Sequence, residues 1–376
     1  MVFFVTIILL VYGGANVYIA RRLYQWFNLL FQNINSTIYA CIFIVIALSI
    51  VLGFSPVHSG VKKVINWISA YWMGIFVYLL IFCLAADCVV LLGSLVKIIP
   101  KPIPPSVIFF RGLSMLLLTI GVVSYSIYNA NQIKLVNYDV SIKDKKLSDD
   151  IKIVLISDLH LGAVNSENNL EKIVRGVNSL EPDIVCIAGD IFNGDLSAIS
   201  NPSKAMRTFL EIETKNGVYA SLGNHDGGSA YDDMVRFLSQ SNIKLLNDEC
   251  EIIEGRVLLI GRMDRSPIGG FGNAMRADIA GILSVAEPDM PIVVMDHNPA
   301  RINQYGPETD LILSGHTHRG QLFPGRLITH AMFDVDYGYR QKGANSPGIV
   351  VTSGAGTWGP PMRVGSSNEI VCITLH

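Results

Sequence analysis

Four long apolar runs occupy the first third of the chain, and they limit what this part can fold into. They cover residues 2–20, 36–54, 68–96 and 107–128. Each reaches or approaches the ~20 residues that a helix needs to cross a bilayer. The whole chain is also apolar for its length, because 50% of its 376 residues are hydrophobic and its mean hydropathy is +0.41. The sequence therefore predicts four transmembrane helices in residues 1–128 and a multi-pass protein of the cell membrane.

Two charged residues lie inside the predicted spans, Asp87 in the third and Arg111 in the fourth. The proline-rich turn between these spans predicts an antiparallel hairpin, in which the two side chains can approach each other in depth. Charge inside a membrane is costly and often marks function. Two structural interpretations stay open: the pair only locks two helices together, or Arg111 extends to the interface. Lysines and arginines in the connections nearly balance, so they do not determine the orientation.

The sequence pattern changes at residue 151, where short apolar strands begin to alternate with amphipathic helices. Residues 129–150 are predicted to form a polar linker with a first edge strand at 133–142. The alternation predicts an α/β domain over residues 151–376, with helices on the faces of its sheets. The predicted strands are 152–157, 183–188, 218–221, 257–260, 292–295, 310–313, 348–352 and 369–375, and the predicted helices are 168–180, 204–213, 231–241 and 275–286.

Five polar clusters come directly after predicted strands, where the catalytic groups of α/β sheets tend to gather. In the first cluster, Asp158 and His160 share one face at the end of a strand, because alternate side chains point the same way. The others are Asp190 after a glycine, the GNHD segment 223–226, His297, and the GHTH segment 315–318. Carboxylates and imidazoles brought close together are typical ligands of divalent metals. The five clusters in this order favour a metal site over ordinary polar turns.

The order of these clusters resembles that of the calcineurin-like metallophosphoesterases, in particular their membrane-associated or exported bacterial branch. In one-letter code the order is D-x-H, G-D, G-N-H-D, H and G-H-x-H. The resemblance covers roughly residues 151–375. It implies a two-layered β-sandwich flanked by helices, with two bound divalent metal ions, Mn, Fe or Zn. It also implies seven ligands: Asp158, His160 and His318 for the first ion, Asn224, His297 and His316 for the second, and Asp190 as the bridge.

The residue types fit this chemistry, since one bridging carboxylate can keep two cations about 3.5–4 Å apart while they activate a shared water. The resemblance gives His225 the role of proton donor to the leaving group. Asp226 beside it is a candidate catalytic residue that orients the ring, or else a solvated loop carboxylate. Arg319 and Asn193 depart from the pattern of the branch, but neither is an expected ligand. Arg319 either contacts a substrate phosphate or is exposed.

The sequence thus predicts a membrane-anchored, metal-dependent phosphoesterase that hydrolyses a phosphomonoester, phosphodiester or pyrophosphate bond by attack of a metal-bridging hydroxide. Its anchor makes a lipid or lipid-linked molecule a candidate substrate. The alternative is a membrane sensor or interaction protein whose phosphoesterase-like domain only binds. A net charge of -2 and the lack of a basic, aromatic-rich groove signal disfavour nucleic acid as a partner. The resemblance favours an extracytoplasmic catalytic domain, whereas the charges of the connections leave its side open.

Overall fold

The computed structural model describes residues 1–376 except 1, 32, 54–58, 143–144, 146, 148, 165–166, 195, 288 and 344–345. The chain divides into two compact units, Met1–Ile127 and Tyr128–His376. The first consists of helices and their connections, and the second contains β-sheets with helices. This change follows the change in the sequence from continuous apolar runs to short alternating ones.

Four helices begin in the described residues of the N-terminal unit: α1 (Val2–Leu30), α2 (Ser36–Leu52), α3 (Ser59–Leu95) and α4 (Pro105–Ala130). Asn35 caps α2, because its side chain accepts hydrogen bonds from two backbone N–H groups of the first turn that would otherwise lack partners. Buried side chains of the unit pack into one apolar cluster made of Ile19, Leu23, Trp72, Leu79, Cys83 and Met115.

Only two helices in the described part of the chain, rather than the predicted four, are long and apolar enough to cross a membrane. They are Gly60–Leu95 and Pro105–Ala130. Helix α2 is apolar but has 17 residues, which extend about 26 Å and fall short of a ~30 Å hydrocarbon core. Its predicted end at residue 54 lies outside the described residues. Helix α1 continues past its apolar run through Arg21 and Arg22, which lower its hydropathy. The prediction of four spans is therefore corrected to two.

The described residues of the C-terminal unit contain two six-stranded sheets. In chain order the strands are β1 (Ile133–Val140), β2 (Ile151–Ile156), β3 (Ile184–Ala188), β4 (Val218–Ser221), β5 (Ile243–Leu245), β6 (Glu249–Ile253), β7 (Val257–Gly261), β8 (Ile292–Met295), β9 (Leu311–Ser314), β10 (Gly338–Gln341), β11 (Gly348–Val351) and β12 (Asn368–Leu375). The first sheet has the order β1-β12-β2-β3-β4-β5, and the second has the order β10-β11-β9-β8-β7-β6. Strands β2 to β5 are parallel, and so are β7, β8, β9 and β11.

The two sheets pack face to face, and helices cover their outer faces. In β2, Ile153 and Leu155 belong to a core that joins both sheets. Val154 and Ile156 instead pack against the helices, since successive side chains of a strand point to opposite faces. The first sheet carries α5 (Glu167–Asn178), α6 (Pro202–Leu210) and α7 (Tyr231–Gln240), and the second carries α8 (Ile279–Leu283). The last helix, α9 (Gly325–Met332), has no buried residue.

The eight strands predicted for this domain are confirmed, with ends that differ by at most one residue. The predicted edge strand is β1, which lies at one edge of the first sheet. Strands β5, β6 and β10 and helix α9 were not predicted from the sequence, and the helix predicted at 275–286 is limited to α8. The three missed strands all lie at sheet edges, where strands are short and carry polar side chains. Their apolar periodicity is therefore weak.

Candidate metal centre

All seven predicted ligands lie in the connections that directly follow strands, with His318 at the start of a short 3₁₀ helix (His318–Gly320). In the first sheet, β2, β3 and β4 are parallel neighbours, and the loops after them carry Asp158, His160, Asp190 and Asn224. In the second sheet, β8 and β9 are parallel neighbours, and the loops after them carry His297, His316 and His318. Because parallel strands end at the same edge of a sheet, each set is gathered at one edge, and the two edges meet at the site.

Five of these residues have a left-handed backbone, which residues other than glycine rarely adopt. The φ angles are 55° at Asp158, 45° at His160, 51° at Asp190, 70° at His316 and 48° at His318. Bonds between loops hold this conformation, since Asp158 N donates to Gly189 O at 3.0 Å and His160 N donates to Asp190 O at 3.0 Å. Such strain concentrates at functional sites, so the backbone supports a site here independently of the side chains.

Two glycines allow the loops to approach the carboxylates closely. A Cβ atom on Gly223 would overlap Asp190 Oδ1, and a Cβ atom on Gly315 would overlap Asp158 Oδ2. Neither neighbour can move without disturbing the site, so both positions need glycine. The glycines of the GNHD and GHTH segments are therefore part of the site's construction.

The first group of donor atoms comes from Asp158, His160 and His318. All three side chains are buried, and their ligand atoms lie within 4.8 Å of one another. His318 Nε2 is 3.3 Å from Asp158 Oδ1 and 3.1 Å from His160 Nε2. The group therefore converges on one small volume, as predicted for the first ion.

The second group comes from Asp190, His297 and His316, whose ligand atoms also lie within 4.8 Å of one another. Asn224 joins it, because its Oδ1 is 2.9 Å from His316 Nδ1. Asp190 Oδ2 is 3.2 Å from His297 Nε2 and 3.6 Å from His160 Nε2 of the first group. One oxygen of Asp190 thus faces both groups, in the position expected of a bridge.

Burial determines the charge of these side chains. It lowers the pKa of His160 to about 3 and that of His316 to about 4, and it holds the pKa of His318 well below its ordinary value. These imidazoles are neutral at pH 7 and offer nitrogen lone pairs. Burial also raises the pKa of Asp158 to about 6, which still leaves the carboxylate mostly ionised at neutral pH. His297 differs, because the neighbouring carboxylate of Asp190 holds the pKa of its ring well above the ordinary value despite burial, and this ring would release its proton when a metal binds. Imidazoles with carboxylates, without a thiolate, suit the divalent ions that the resemblance implies.

His225 lies at the side of the first group rather than within it. Its ring centroid is 5.1 Å from that of His160 and 6.1 Å from that of Trp358. Its backbone N–H donates to Asp190 Oδ1 at 2.8 Å. Burial lowers the pKa of the ring. The side chain is thus placed next to the donor groups, and its role as proton donor stays a prediction.

Asp226 is fully buried, so the interpretation as a solvated loop carboxylate is wrong. One carboxylate oxygen accepts a hydrogen bond from Phe192 N and the other from Gly223 N, each at 2.8 Å. These bonds tie the loop after β3 to the loop after β4. Both oxygens are thus bound to backbone groups rather than to the ring of His225, and Asp226 positions the loops that carry the site.

Two buried charges behind the first group were not predicted from the sequence. Arg363 is fully buried, and its guanidinium donates to Ser353 O and Gly356 O at 2.6 Å and to His318 O at 3.3 Å. Burial lowers its pKa to about 10, so it stays charged. Glu369 is 1% exposed and accepts from Ser353 N at 3.0 Å. Their partners are mostly backbone groups of irregular loops, which leave no motif in the sequence.

Arg319 is half-buried, and its guanidinium lies over the ring of Tyr337 at 4.0 Å from the centroid. The interpretation of Arg319 as an exposed residue is therefore wrong, and its contact with a substrate phosphate stays a prediction. Asn193 bonds through its backbone to Leu161 O. Neither residue belongs to the two donor groups.

Two donor groups that share a carboxylate, placed at one end of an α/β sandwich, are the arrangement of a metal-dependent phosphoesterase. Comparison with known proteins gives the family, because residues 151–320 match the calcineurin-like phosphoesterases. The chain is 30% identical to a transmembrane protein with metallophosphoesterase domain from Danio rerio, over 81% of this chain and 72% of that protein. An uncharacterized metallophosphoesterase of Campylobacter jejuni is 29% identical over 98% of this chain and 97% of its own. The chain therefore belongs to the calcineurin-like phosphoesterase family and is a metal-dependent phosphoesterase, as predicted.

A more distant relative is the UDP-2,3-diacylglucosamine pyrophosphatase LpxG of Chlamydia trachomatis. It is 22% identical over 46% of this chain and 64% of its own length. The two apolar helices, together with the Danio rerio relative, indicate that this protein is membrane-associated.

Proposed function

We propose that this protein is a membrane-anchored phosphoesterase that uses two divalent metal ions to hydrolyse a phosphate ester or pyrophosphate bond of a lipid or lipid-linked substrate. The observation that carries this proposal is the position of Asp190 Oδ2, which faces His297 of one donor group and His160 of the other. A single carboxylate oxygen shared by two groups of imidazoles is what a pair of cations requires.

In this proposal one ion would be held by Asp158, His160 and His318. The other ion would be held by Asn224, His297 and His316, with Asp190 as the ligand shared by both. Bound there, the ions would supply an activated water at neutral pH and would offset charge on the phosphoryl oxygens. The chain itself fixes the donors before any ion arrives, since the backbone bonds among the loops hold Asp158 and His160 in place. His225, at the side of the first group, would give a proton to the leaving oxygen.

A lipid substrate is supported by the surface of α9, which follows the GHTH loop. The apolar side chains of Leu327, Ile328 and Met332 are 63%, 60% and 69% exposed. Ile328 and Met332, four residues apart, lie on one face of the helix, and Leu327 lies beside that face. Phe323, just before the helix, is 50% exposed. Phe333, just after it, has its ring centroid 6.0 Å from that of His316. An exposed apolar face that leads to the metal centre suits a substrate with acyl chains.

The reaction is tested by hydrolysis of bis-p-nitrophenyl phosphate with added Mn, together with elemental analysis of the purified protein. We expect Asp190→Asn to lose bound metal and about 10³-fold or more in activity. We expect His225→Ala to lose about 10²-fold or more while it keeps its metal. Asp232→Asn, at an exposed acid of α7, is the control. An inactive wild type that still binds two ions would support the alternative, a sensor that only binds.

The lipid substrate is tested with the full chain in phosphatidylcholine vesicles that carry a lipid phosphomonoester or a lipid pyrophosphate. We expect the double variant Leu327→Ser with Ile328→Ser to lose about tenfold in lipid hydrolysis, because part of the apolar contact area is lost, and to keep its activity on bis-p-nitrophenyl phosphate. Leu210→Ser, at an exposed leucine of α6, is the matched control. No hydrolysis of either lipid by a wild type that cleaves the soluble probe would contradict a lipid substrate.

A further inference from the structure

The two charges that the sequence analysis found in the apolar helices do meet, and a third joins them from α1. Arg111 Nη1 is 3.2 Å from Asp87 Oδ1, and Arg22 Nη2 is 2.5 Å from Asp87 Oδ2. Gln25 Oε1 accepts from both guanidinium groups, at 3.0 Å from Arg22 and 3.1 Å from Arg111. We call these four residues the arginine cluster.

The arginine cluster carries more positive than negative charge. Two guanidinium groups share the single carboxylate of Asp87, which also accepts a hydrogen bond from Tyr18 at 2.7 Å. Within the described part of the chain, Arg22 Nε is buried without a hydrogen-bond partner. Each guanidinium has five N–H donors. One carboxylate and one amide oxygen cannot accept hydrogen bonds from all the donors of two guanidinium groups. The cluster thus has one uncompensated positive charge and donors to spare.

Both arginines line a cavity of about 340 Å³, whose wall also includes Gln25 and Asn28 together with apolar residues such as Ile108. A second cavity, of about 790 Å³, runs between α1 and α2 and is lined mostly by apolar side chains. Tyr24 and Gln25 line both cavities. A cationic cavity thus adjoins a long apolar one, which is complementary to a ligand with an anionic head and an apolar tail.

The three charges also lie at comparable distances from the helix ends. Arg22 and Asp87 each lie eight residues before the ends of α1 and α3, and Arg111 lies six residues after the start of α4. At 1.5 Å per residue these distances are roughly 9–12 Å. Basic pockets between apolar helices near one end of a bundle are where lipid head groups bind.

We propose that the arginine cluster binds the phosphate group of an anionic phospholipid, with an acyl chain along the cavity between α1 and α2. Arginine suits this ligand because its planar fork bonds two phosphate oxygens at once. Asp87 holds the two guanidinium groups side by side and leaves one positive charge for the phosphate. This site is separate from the metal centre and does not depend on the hydrolysis proposed above.

The test is a native mass spectrometry titration of the full chain in detergent, with EDTA present so that the metal centre does not contribute. The ligands are dioctanoyl phosphatidic acid, dioctanoyl phosphatidylcholine and inorganic phosphate. We expect phosphatidic acid to bind at least about tenfold more tightly than the other two. Arg22→Gln and Arg111→Gln should each weaken it by about tenfold, the effect of one charge-assisted hydrogen bond. Lys97→Gln removes an exposed lysine between α3 and α4 and should change the affinity less than twofold.

Two further variants separate binding from a purely structural ion pair. Asp87→Asn frees both guanidinium groups, so we expect equal or tighter binding of phosphatidic acid even if the thermal stability falls. Ile108→Trp fills the cavity without removing a charge and should weaken binding. If the cluster only locks the helices, all the variants will bind phosphatidic acid like the wild type while Asp87→Asn and Arg111→Gln lose stability, and the proposal is overturned. Equal affinity for phosphatidic acid and phosphatidylcholine, or for inorganic phosphate, would overturn it too.

Discussion

The C-terminal unit buries two sets of polar side chains that differ in what surrounds them. The first set, which we call the frame, consists of Asp226, Arg363 and Glu369, and the protein supplies hydrogen-bond partners for their carboxylate oxygens and for both terminal nitrogens of the guanidinium, though not for Arg363 Nε. The second set is the predicted ligands, where His160 faces His318 and two carboxylates share one pocket. Buried imidazoles that face imidazoles, and buried carboxylates that face carboxylates, lower the stability of the fold. The difference teaches that buried groups bonded within the protein build the fold, whereas imidazoles and carboxylates crowded around one small volume await a ligand.

Metal removal should show the largest effect and tests the second set directly. We expect EDTA to abolish hydrolysis. We also expect it to lower the free energy of unfolding of the C-terminal unit by about 4 kcal/mol when the metal had been present at about 1,000 times its dissociation constant. Thermal unfolding and hydrogen exchange of the loops after β2, β3 and β9 would measure this. If EDTA leaves both activity and unfolding unchanged, these charges do not hold a metal.

Arg363 tests the frame. Arg363→Met should lower the free energy of unfolding by about 3–5 kcal/mol, because it removes a buried charge on which several carbonyl groups depend. The free energy of unfolding of Arg363→Lys should lie between those of the wild type and Arg363→Met, since an ammonium group lacks the planar, forked donors of a guanidinium. Denaturant unfolding of the EDTA-treated protein measures the change, with Arg207→Met at an exposed arginine of α6 as control. Lost metal with unchanged stability would instead place Arg363 in the second set.

Asp226 should show a smaller effect of the same kind. Asp226→Ala leaves two buried N–H groups, those of Phe192 and Gly223, without their acceptor. We expect about 2–4 kcal/mol of lost stability, together with faster hydrogen exchange at both loops. A variant as stable as the wild type but inactive would mean that Asp226 acts in the chemistry, as the sequence analysis predicted.

Asp158→Asn should have the smallest effect on stability. It also gives the sharpest distinction between the frame and the set of predicted ligands. It removes a buried charge from the second set, so the EDTA-treated variant should be as stable as the wild type, or more stable by up to about 1 kcal/mol. Its metal content should fall at the same time. A loss of several kcal/mol in the metal-free protein would show that Asp158 belongs to the frame.

The sequence predicted the second set far better than the frame. Asp158, Asp190 and the histidines of the GHTH segment each follow a short apolar strand, so local pattern and strand order suffice to bring them together. The partners of Arg363 and Asp226 are backbone groups of irregular loops, and such contacts leave no periodicity. The arginine cluster was half predicted. Asp87 and Arg111 stood out as charges in apolar runs, whereas Arg22 lay outside the predicted first span.

The two donor groups each combine residues from both sheets. His318, from the second sheet, joins Asp158 and His160 from the first, and Asp190, from the first, joins His297 and His316 from the second. Neither half of the sandwich therefore contains a complete group. A displacement of one sheet relative to the other would separate the ligands of both ions at once. Each bound ion would therefore cross-link the two sheets. Loss of one ion should then lower the affinity of the protein for the other ion, and protein with a single bound ion should have no activity.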